Sequence, residues 1–138
     1  MYDLRSLYFY AVCYVVIGMG MAILLLKKKK SIRKTRKKDD VLEMILYTIV
    51  LIFCVYNTVS MCYAIHSPVI KQYQGRYVGE DRGMVKFEKL KDSDCEDSFR
   101  IPRYMIGRMC PDGLKKKNKY IIYYEKHTEI IVKIQKIS

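Results

Sequence analysis

The chain has 138 residues, with 26 Lys and Arg against 14 Asp and Glu, and a formal net charge of +12. This length allows one domain, or a small domain with membrane anchors. The net charge indicates an anionic partner, either a nucleic acid or an anionic lipid surface. The charge is concentrated, because residues 27–38 carry nine basic side chains and no acid, whereas residues 66–138 carry 16 basic against 10 acidic side chains.

Two apolar runs come first along the chain. Residues 7–26 contain no charge, and residues 41–65 contain one, Glu43. Since a bilayer core is about 30 Å thick and a helix rises about 1.5 Å per residue, each run is long enough to cross a membrane. The remaining 73 residues are too few to bury two helices that are apolar on every face. The sequence therefore predicts two transmembrane helices in residues 1–65. A cleaved signal peptide is the alternative for the first run, but lysines stand where its cleavage site would lie.

The basic residues between the two runs predict the orientation. They are Lys27, Lys28, Lys29, Lys30, Arg33, Lys34, Arg36, Lys37 and Lys38. Short loops rich in Lys and Arg stay in the cytoplasm, so we expect loop 27–40 to be cytoplasmic and both termini to be extracytoplasmic in a cell-membrane protein with two spans. The same run resembles a nuclear-localisation or nucleic-acid patch. Between two spans it is better interpreted as a topology signal that contacts anionic lipid headgroups, and no nucleic-acid partner is expected.

The spans contain three candidate packing residues. Gly18 and Ala22 form a small-xxx-small pair, which lets helix backbones approach closely in lipid. Asn57 is the most polar side chain deep in either span, and we expect it to face a helix rather than lipid. The partner helix is either within the hairpin or in a second copy, so a homo-oligomer stays open.

Residues 66–138 alternate Tyr, Ile and Val with polar residues between turn signals, which predicts β-structure. The predicted strands are residues 69–79, 84–90, 98–101, 119–125 and 129–137, with a short helix or loop at 102–109. About five short antiparallel strands predict a small all-β extracytoplasmic domain, an OB-like barrel or a sandwich.

So small a domain needs additional stabilisation. Cys95 and Cys110 are its only cysteines and lie in loop-like stretches of a segment predicted to be extracytoplasmic. A disulfide between them would contribute about 3 kcal/mol in the chain-entropy model, and two free thiols are the alternative. No metal site is expected, because the only histidines are His66 and His127 and there is no CxxC motif.

The sequence contains none of the common catalytic or nucleotide-binding motifs. His127 lies between Glu125 and Glu129, an arrangement that could serve acid–base catalysis, but it falls in a tight predicted turn. A second candidate is a stretch rich in acids, which are Glu88, Asp92, Asp94, Glu96 and Asp97. An acidic loop can bind calcium, but this one lacks the glycine and the final glutamate of an EF-hand loop. It is therefore interpreted as a solvated loop. We therefore expect neither an enzyme nor a bound cofactor.

The segment KNKYIIYYEKHTEIIVKI, residues 117–134, resembles the closing hairpin of small barrel domains in bacterial membrane proteins. The layout of two spans and a C-terminal OB-like domain is similar to short NfeD-type proteins, and to small two-span proteins of Gram-positive bacteria, some of which are immunity proteins against secreted toxins. NfeD-type domains usually face the cytoplasm, which departs from the orientation predicted here. The resemblance carries no site residues.

These observations favour a membrane-anchored binding module whose extracytoplasmic domain contacts a protein partner, as an immunity protein does with an envelope-acting toxin. Tyr123 and Tyr124 are the predicted partner surface, because tyrosines dominate binding hot spots. Adjacent strand residues point to opposite faces, so one of the two belongs to the core. A membrane assembly or small oligomeric pore is the alternative function, and an envelope enzyme built on His127 is a third.

Overall fold

The computed structural model describes residues 2–33, 38–90 and 92–137, with the backbone alone for residues 92–95. Two long helices are followed by a five-stranded antiparallel sheet, in the order α1 (Arg5–Ile32), α2 (Lys38–His66), β1 (Ile70–Asp81), β2 (Met84–Lys89), β3 (Asp92–Arg100), α3 (Arg103–Met109), β4 (Lys119–Glu125) and β5 (Ile131–Lys136).

The prediction of two long apolar helices is confirmed. Helix α1 has 28 residues and α2 has 29, and both are long and apolar enough to cross a bilayer. At about 1.5 Å per residue, either helix exceeds the thickness of about 30 Å that a hydrocarbon core requires. Both helices extend beyond their apolar runs, so Lys27 to Lys30 lie within the last turns of α1 and Lys38 begins α2.

The chain divides into two compact units by its contacts. The helix unit is Tyr10–Cys62, and the sheet unit combines Met1–Phe9 with Tyr63–Ser138. The first residues of α1 and the last residues of α2 thus group with the sheet. No sequence pattern indicated that the N-terminal residues would do so.

Within the helix unit, α1 and α2 pack as a hairpin. The Tyr14 and Phe53 rings meet edge to face with their centroids 6.3 Å apart. Near the loop, the Lys28 Nζ lies 2.9 Å from a carboxylate oxygen of Asp40 and also pairs with Glu43. The single charge of the second apolar run, Glu43, is therefore an ion-pair partner near the start of α2.

In the sheet unit the strand order is β3-β2-β1-β4-β5. Strand β1 is central and pairs with β2 from Gly75 to Asp81 and with β4 from Ile70 to Arg76. An isolated parallel bridge joins Arg100, at the end of β3, to Ile130, just before β5. The sheet is open, so the predicted closure into a barrel is not shown.

The turn between β1 and β2 explains why these strands form a tight hairpin. Arg82 has φ of 50° and Gly83 has φ of 79°. Two consecutive residues with positive φ form the type I′ turn whose twist matches that of paired strands. The turn lies between the predicted strands 69–79 and 84–90, and Gly83 occupies a position that other residues adopt only at a cost.

One face of the sheet carries the hydrophobic core. Met105 of α3 is fully buried on this face, because the helix between β3 and β4 covers it. The core residues are Tyr73, Tyr77, Val85, Phe87, Phe99, Ile101, Met105, Tyr120, Ile122, Ile131 and Ile134. Alternation along β1 and β4 places Tyr73, Tyr77, Tyr120 and Ile122 inside. This large aromatic content lets a small domain bury considerable apolar area.

Strand β3 is longer than predicted. The sequence indicated a strand only at residues 98–101 and a solvated acidic loop before it, but β3 spans Asp92–Arg100. Its acidic part pairs with β2, with Glu88 opposite Glu96 and Phe87 opposite Asp97. Acidic residues have low strand propensity, and here pairing with a neighbouring strand overrides that local preference.

Candidate functional site

The sheet face opposite the core presents a polar surface around Tyr123. Across the strands, Tyr123 lies opposite Gln72 of β1 and Lys133 of β5. The next row on the same face joins Gln74, Ile121 and Gln135. We call Tyr2, Gln72, Tyr123, Lys133 and Gln135 the Tyr123 patch.

The Tyr123 ring is held by neighbours on three sides. Its hydroxyl donates to the Oε1 of Gln135 at 3.3 Å. The Lys133 Nζ lies 5.5 Å from the ring centroid, within the range of a cation–π contact. The Tyr2 ring lies 5.5 Å away, tilted by 52°. The patch therefore combines two aromatic rings, a cation and amide groups, and tyrosine is among the residues enriched at protein-binding surfaces.

The N-terminal segment reaches this patch because backbone and side-chain contacts fix it to the sheet unit. The backbone N–H of Asp3 donates to the carbonyl of Val132 at 2.8 Å. The Asp3 carboxylate lies 3.5 Å from the Nε of Arg108. Asp3 also accepts a bond from the backbone N–H of Arg5 at 3.1 Å, at the start of α1. Tyr2 is thus part of the same surface as a strand that lies more than a hundred residues later in the sequence.

Tyr124 points to the other face. Its ring packs against Phe99 with centroids 4.7 Å apart, and it borders the core. Burial, the largest cause, raises the pKa of Tyr124, and the nearby carboxylate of Asp97 adds to this effect. Of the two tyrosines predicted as the partner surface, the structure places Tyr123 on the polar face and Tyr124 against the core.

Glu125 closes the turn between β4 and β5. The carboxylate is fully buried. Its Oε2 accepts from the backbone N–H groups of His127 and Thr128 at 2.9 and 2.8 Å, and from the Thr128 hydroxyl at 2.9 Å. The backbone of His127, rather than its ring, makes this contact, and the ring meets Tyr63 at 6.5 Å. Sequence reasoning considered Glu125 only as a flanking acid and missed its place in the turn.

Cys110 is a free thiol in this structure. Its Sγ donates to the carbonyl of Gly113 at 3.3 Å in the turn after α3. Burial, the largest cause, raises the pKa of this thiol, and Asp112 raises it further. The predicted disulfide to Cys95 is therefore not shown, and the side chain of Cys95 lies outside the described residues.

A cleft of about 170 Å³ lies beside this turn, lined among others by Cys110, Lys115, Tyr120 and Lys136. The backbone N–H of Lys115 donates to the Tyr120 hydroxyl at 2.9 Å, which fixes the loop over the buried ring. The lysine-rich loop is thus attached to the core at this point, and Lys116 and Lys117 are exposed.

Two of the three predicted packing residues, Gly18 and Ala22, line the space between the helices. Gly18 is buried, and a Cβ at this position would lie 3.4 Å from the Cβ of Cys54. Gly18 and Ala22 both line an apolar groove of about 340 Å³ between α1 and α2. Asn57 donates instead to the carbonyl of Phe53 in its own helix at 2.8 Å. Its amide thus has a local partner, and a role in contacting another helix stays a prediction.

The basic residues of the predicted cytoplasmic loop are described only in part. Arg33 follows α1, whereas Lys34, Arg36 and Lys37 lie outside the described residues. Lys28 is engaged in the ion pairs with the start of α2. Among the described residues, no cluster of three or more His, Cys, Asp or Glu side chains could hold a metal ion.

No known protein family, curated protein or solved structure matches the chain at a significant level. Any functional assignment must therefore be argued from the chain's own residues.

Proposed function

We propose that this protein is a membrane-anchored, non-enzymatic binding module. Its two helices cross the cell membrane with the basic loop in the cytoplasm and both termini outside. Its sheet unit contacts a protein partner through the Tyr123 patch. A secreted toxin that acts at the envelope is the class of partner we propose, on the resemblance of the layout to small immunity proteins.

The topology of the sheet supports an OB-like fold for the extracytoplasmic domain. A central β1 pairs with β2 and β4, and a helix lies between β3 and β4. The parallel bridge from Arg100 to Ile130 brings the end of β3 and the start of β5 together, and the Arg100 N–H donates to the carbonyl of Glu129 at 2.9 Å. OB-folds are small, partly open five-stranded barrels that bind ligands on a sheet face and its adjacent loops.

The placement of Tyr123 is the observation that carries the proposed function. The core on the other face is already filled by aromatic and aliphatic side chains, so Tyr123 is not needed for packing there. Its ring instead lies on the polar face, where Lys133 and Gln135 hold it in one orientation. A stiff amphipathic ring that is already oriented loses little entropy on binding, which is the physical basis of a tyrosine hot spot.

Photo-crosslinking in native membranes tests this proposal. A photoreactive phenylalanine analogue replaces Tyr123 in the full chain, and the control position is Lys86 on β2. We expect one discrete crosslinked product from position 123 and none from position 86. Equal products at both positions, or a product at position 86 only, would place the partner surface elsewhere.

A domain exchange provides the second test. Since residues 1–9 pack with the sheet unit, the exchanged segment must be residues 10–62 only. An unrelated two-span hairpin of the same orientation should preserve crosslinking at position 123. Loss of crosslinking with an intact sheet unit would favour the membrane-assembly function instead.

The apolar groove in the helix unit favours that assembly as a second candidate function. It is lined by Gly18, Ala22 and Thr58, among others. Gly18 is already packed against Cys54, so a further helix would approach through the rest of this groove, where small residues permit close contact. Steady conductance of liposomes containing the full chain would support an oligomeric pore, and its absence would contradict one.

A further inference from the structure

The sheet unit contains the start of α1 and the end of α2, which are the helix ends outside the membrane in the proposed topology. These helix ends mark where a membrane surface would meet the sheet unit. Phe9 of α1 and Tyr63 of α2 both belong to this unit. The Phe9 ring meets Tyr104 of α3 edge to face at 5.3 Å. The Tyr63 ring meets His127 of the β4–β5 turn at 6.5 Å. Helix α3 and this turn are therefore each attached to a helix end by an aromatic contact.

Exposed apolar side chains of the sheet unit concentrate at the same places. Among the described residues of this unit, seven large hydrophobic side chains are exposed, and five of them lie at or next to the helix ends: Tyr8, Phe9, Tyr63, Val69 and Tyr104. Tyr104 remains 55% exposed although it contacts Phe9. Exposed apolar patches mark interaction sites, and tyrosines with one apolar and one polar end are enriched where hydrocarbon meets water.

The charges on α3 and the β4–β5 turn suit an anionic surface. The Arg103 side chain is 87% exposed, and its ion pair to Glu80, at 3.7 Å, is long and solvated. Such pairs contribute little stability, so the guanidinium is available to another anion. Lys126 is also exposed on the turn. Arg108 is partly compensated by Asp3, as described above.

We propose that Phe9, Tyr63, Arg103, Tyr104 and Lys126, the headgroup face, rest on the outer leaflet and bind anionic phospholipid headgroups. Arg103 contacts the phosphate, because a guanidinium presents parallel N–H donors to phosphate oxygens. Tyr104 lies at the level of the upper acyl chains beside Phe9. This inference rests on the membrane anchoring proposed above. It assigns α3 a role in fixing the sheet unit against the membrane, in addition to covering the core.

The chain contains no tryptophan, so a single one reports its own surroundings. The Tyr104→Trp variant of the full chain is reconstituted into phosphatidylcholine vesicles with and without phosphatidylglycerol. We expect blue-shifted emission, strong quenching by lipids brominated near the top of the acyl chain, and weak quenching by acrylamide. Lys116→Trp, in the exposed loop before β4, is the matched control and should show the opposite quenching pattern.

A charge variant then tests the anionic headgroup. Arg103→Gln, combined with Tyr104→Trp, should remove the increase in bromolipid quenching that phosphatidylglycerol produces. Arg82→Gln, in the β1–β2 turn of the same reporter protein, should leave that increase unchanged.

The outcomes separate the two proposals. Equal acrylamide quenching of the tryptophans at positions 104 and 116, in protein that resists carbonate extraction, would overturn the headgroup face but leave the membrane anchoring intact. Failure to resist carbonate extraction would overturn the anchoring and the headgroup face together. Protection of the tryptophan at position 104 in native membranes, but not in lipid vesicles, would identify a protein contact and overturn the lipid proposal.

Discussion

Gly75→Ala should destabilise the sheet unit, because β1 has no space for a side chain at this position. Gly75 is paired on both sides, with Lys89 of β2 and Tyr120 of β4. A Cβ at position 75 would lie 2.6 Å from the Cε1 of Tyr73, 2.9 Å from the carbonyl oxygen of Glu88 and 3.1 Å from the Cβ of Phe87. The carbonyl belongs to the backbone of a paired strand, so it can move only if the β1–β2 ladder shifts.

The neighbouring ring has little freedom to relieve this clash. Tyr73 is buried, and its hydroxyl donates to the carbonyl of Phe87 at 3.1 Å. Moving the ring would lengthen that bond and disturb the edge contact with Phe99 at 5.2 Å. Overpacking of a filled core costs about 1–3 kcal/mol, and we expect the upper half of this range. For a domain of this size, about 1 kcal/mol corresponds to a shift of about 4–8 °C in Tm, so the expected decrease is about 8–24 °C.

Gly79→Ala is the matched control on the same strand, since a Cβ there would meet nothing within 4 Å. Removing a glycine from the unfolded chain stabilises by about 0.4–1 kcal/mol where the backbone permits it, so Gly79→Ala should be neutral or slightly stabilising. The assay is thermal unfolding of the full chain in detergent micelles, followed by near-ultraviolet circular dichroism of the tyrosines. Equal Tm values for the two variants would refute the argument from close strand approach at Gly75.

Three further predictions concern the two units. Tyr124→Ala should lower the free energy of unfolding by about 3 kcal/mol, within the range for aromatic truncations in a core. Tyr123→Ala should change the free energy of unfolding by less than about 1 kcal/mol but should reduce partner crosslinking. Denaturant titration and the crosslinking assay distinguish the two variants. Gly18→Leu should increase spin-label distances between α1 and α2, because Cys54 occupies the adjacent space. Gly20→Leu should leave those distances unchanged, since a Cβ there meets nothing within 4 Å. An unchanged distance in both variants would contradict the packing of α1 against α2 at Gly18. Burial raises the pKa of Tyr77 and Tyr124 above the ordinary value of about 10. Because the folded-state pKa is higher than the unfolded-state pKa, the contribution of these two tyrosines to stability should be complete below about pH 10. It should be lost as the pH rises through the folded-state pKa values. In denaturant titrations at increasing pH, the variant with both tyrosines replaced by Phe should lose this pH dependence of the free energy of unfolding.

The strand assignments show how much of the sheet could be predicted from local sequence patterns. Stretches rich in Tyr, Ile and Val between turn signals located β1, β2, β4 and β5 to within a few residues, because aromatic and β-branched residues favour strands. The acidic segment before Phe99 lacks such residues, and its strand was largely missed. Its strand conformation depends on pairing with β2, and pairing between strands is not encoded in the local composition of either one.

The paired tyrosines show the same limit at the candidate site. Alternation predicted that Tyr123 and Tyr124 face opposite sides, but not which side is the core. That assignment depends on the position of α3 and on the contact between Tyr124 and Phe99. The approach of Tyr2 to Tyr123 joins residues from opposite ends of the chain, and no local pattern indicates a contact at such a separation.

The sequence by itself determined those structural elements that depend only on interactions between residues close together in the chain. Two nearly uncharged runs require two long apolar helices, and the glycine of the β1–β2 turn permits a backbone that other residues avoid. The tertiary structure decided the rest: the length of β3, the face on which each tyrosine lies, the burial of Glu125 in its turn and the docking of the N-terminal residues on the sheet unit. Each of these features depends on contacts between segments that are distant in the sequence, which the local pattern does not specify. Such contacts contribute free energy only after folding has brought the segments together.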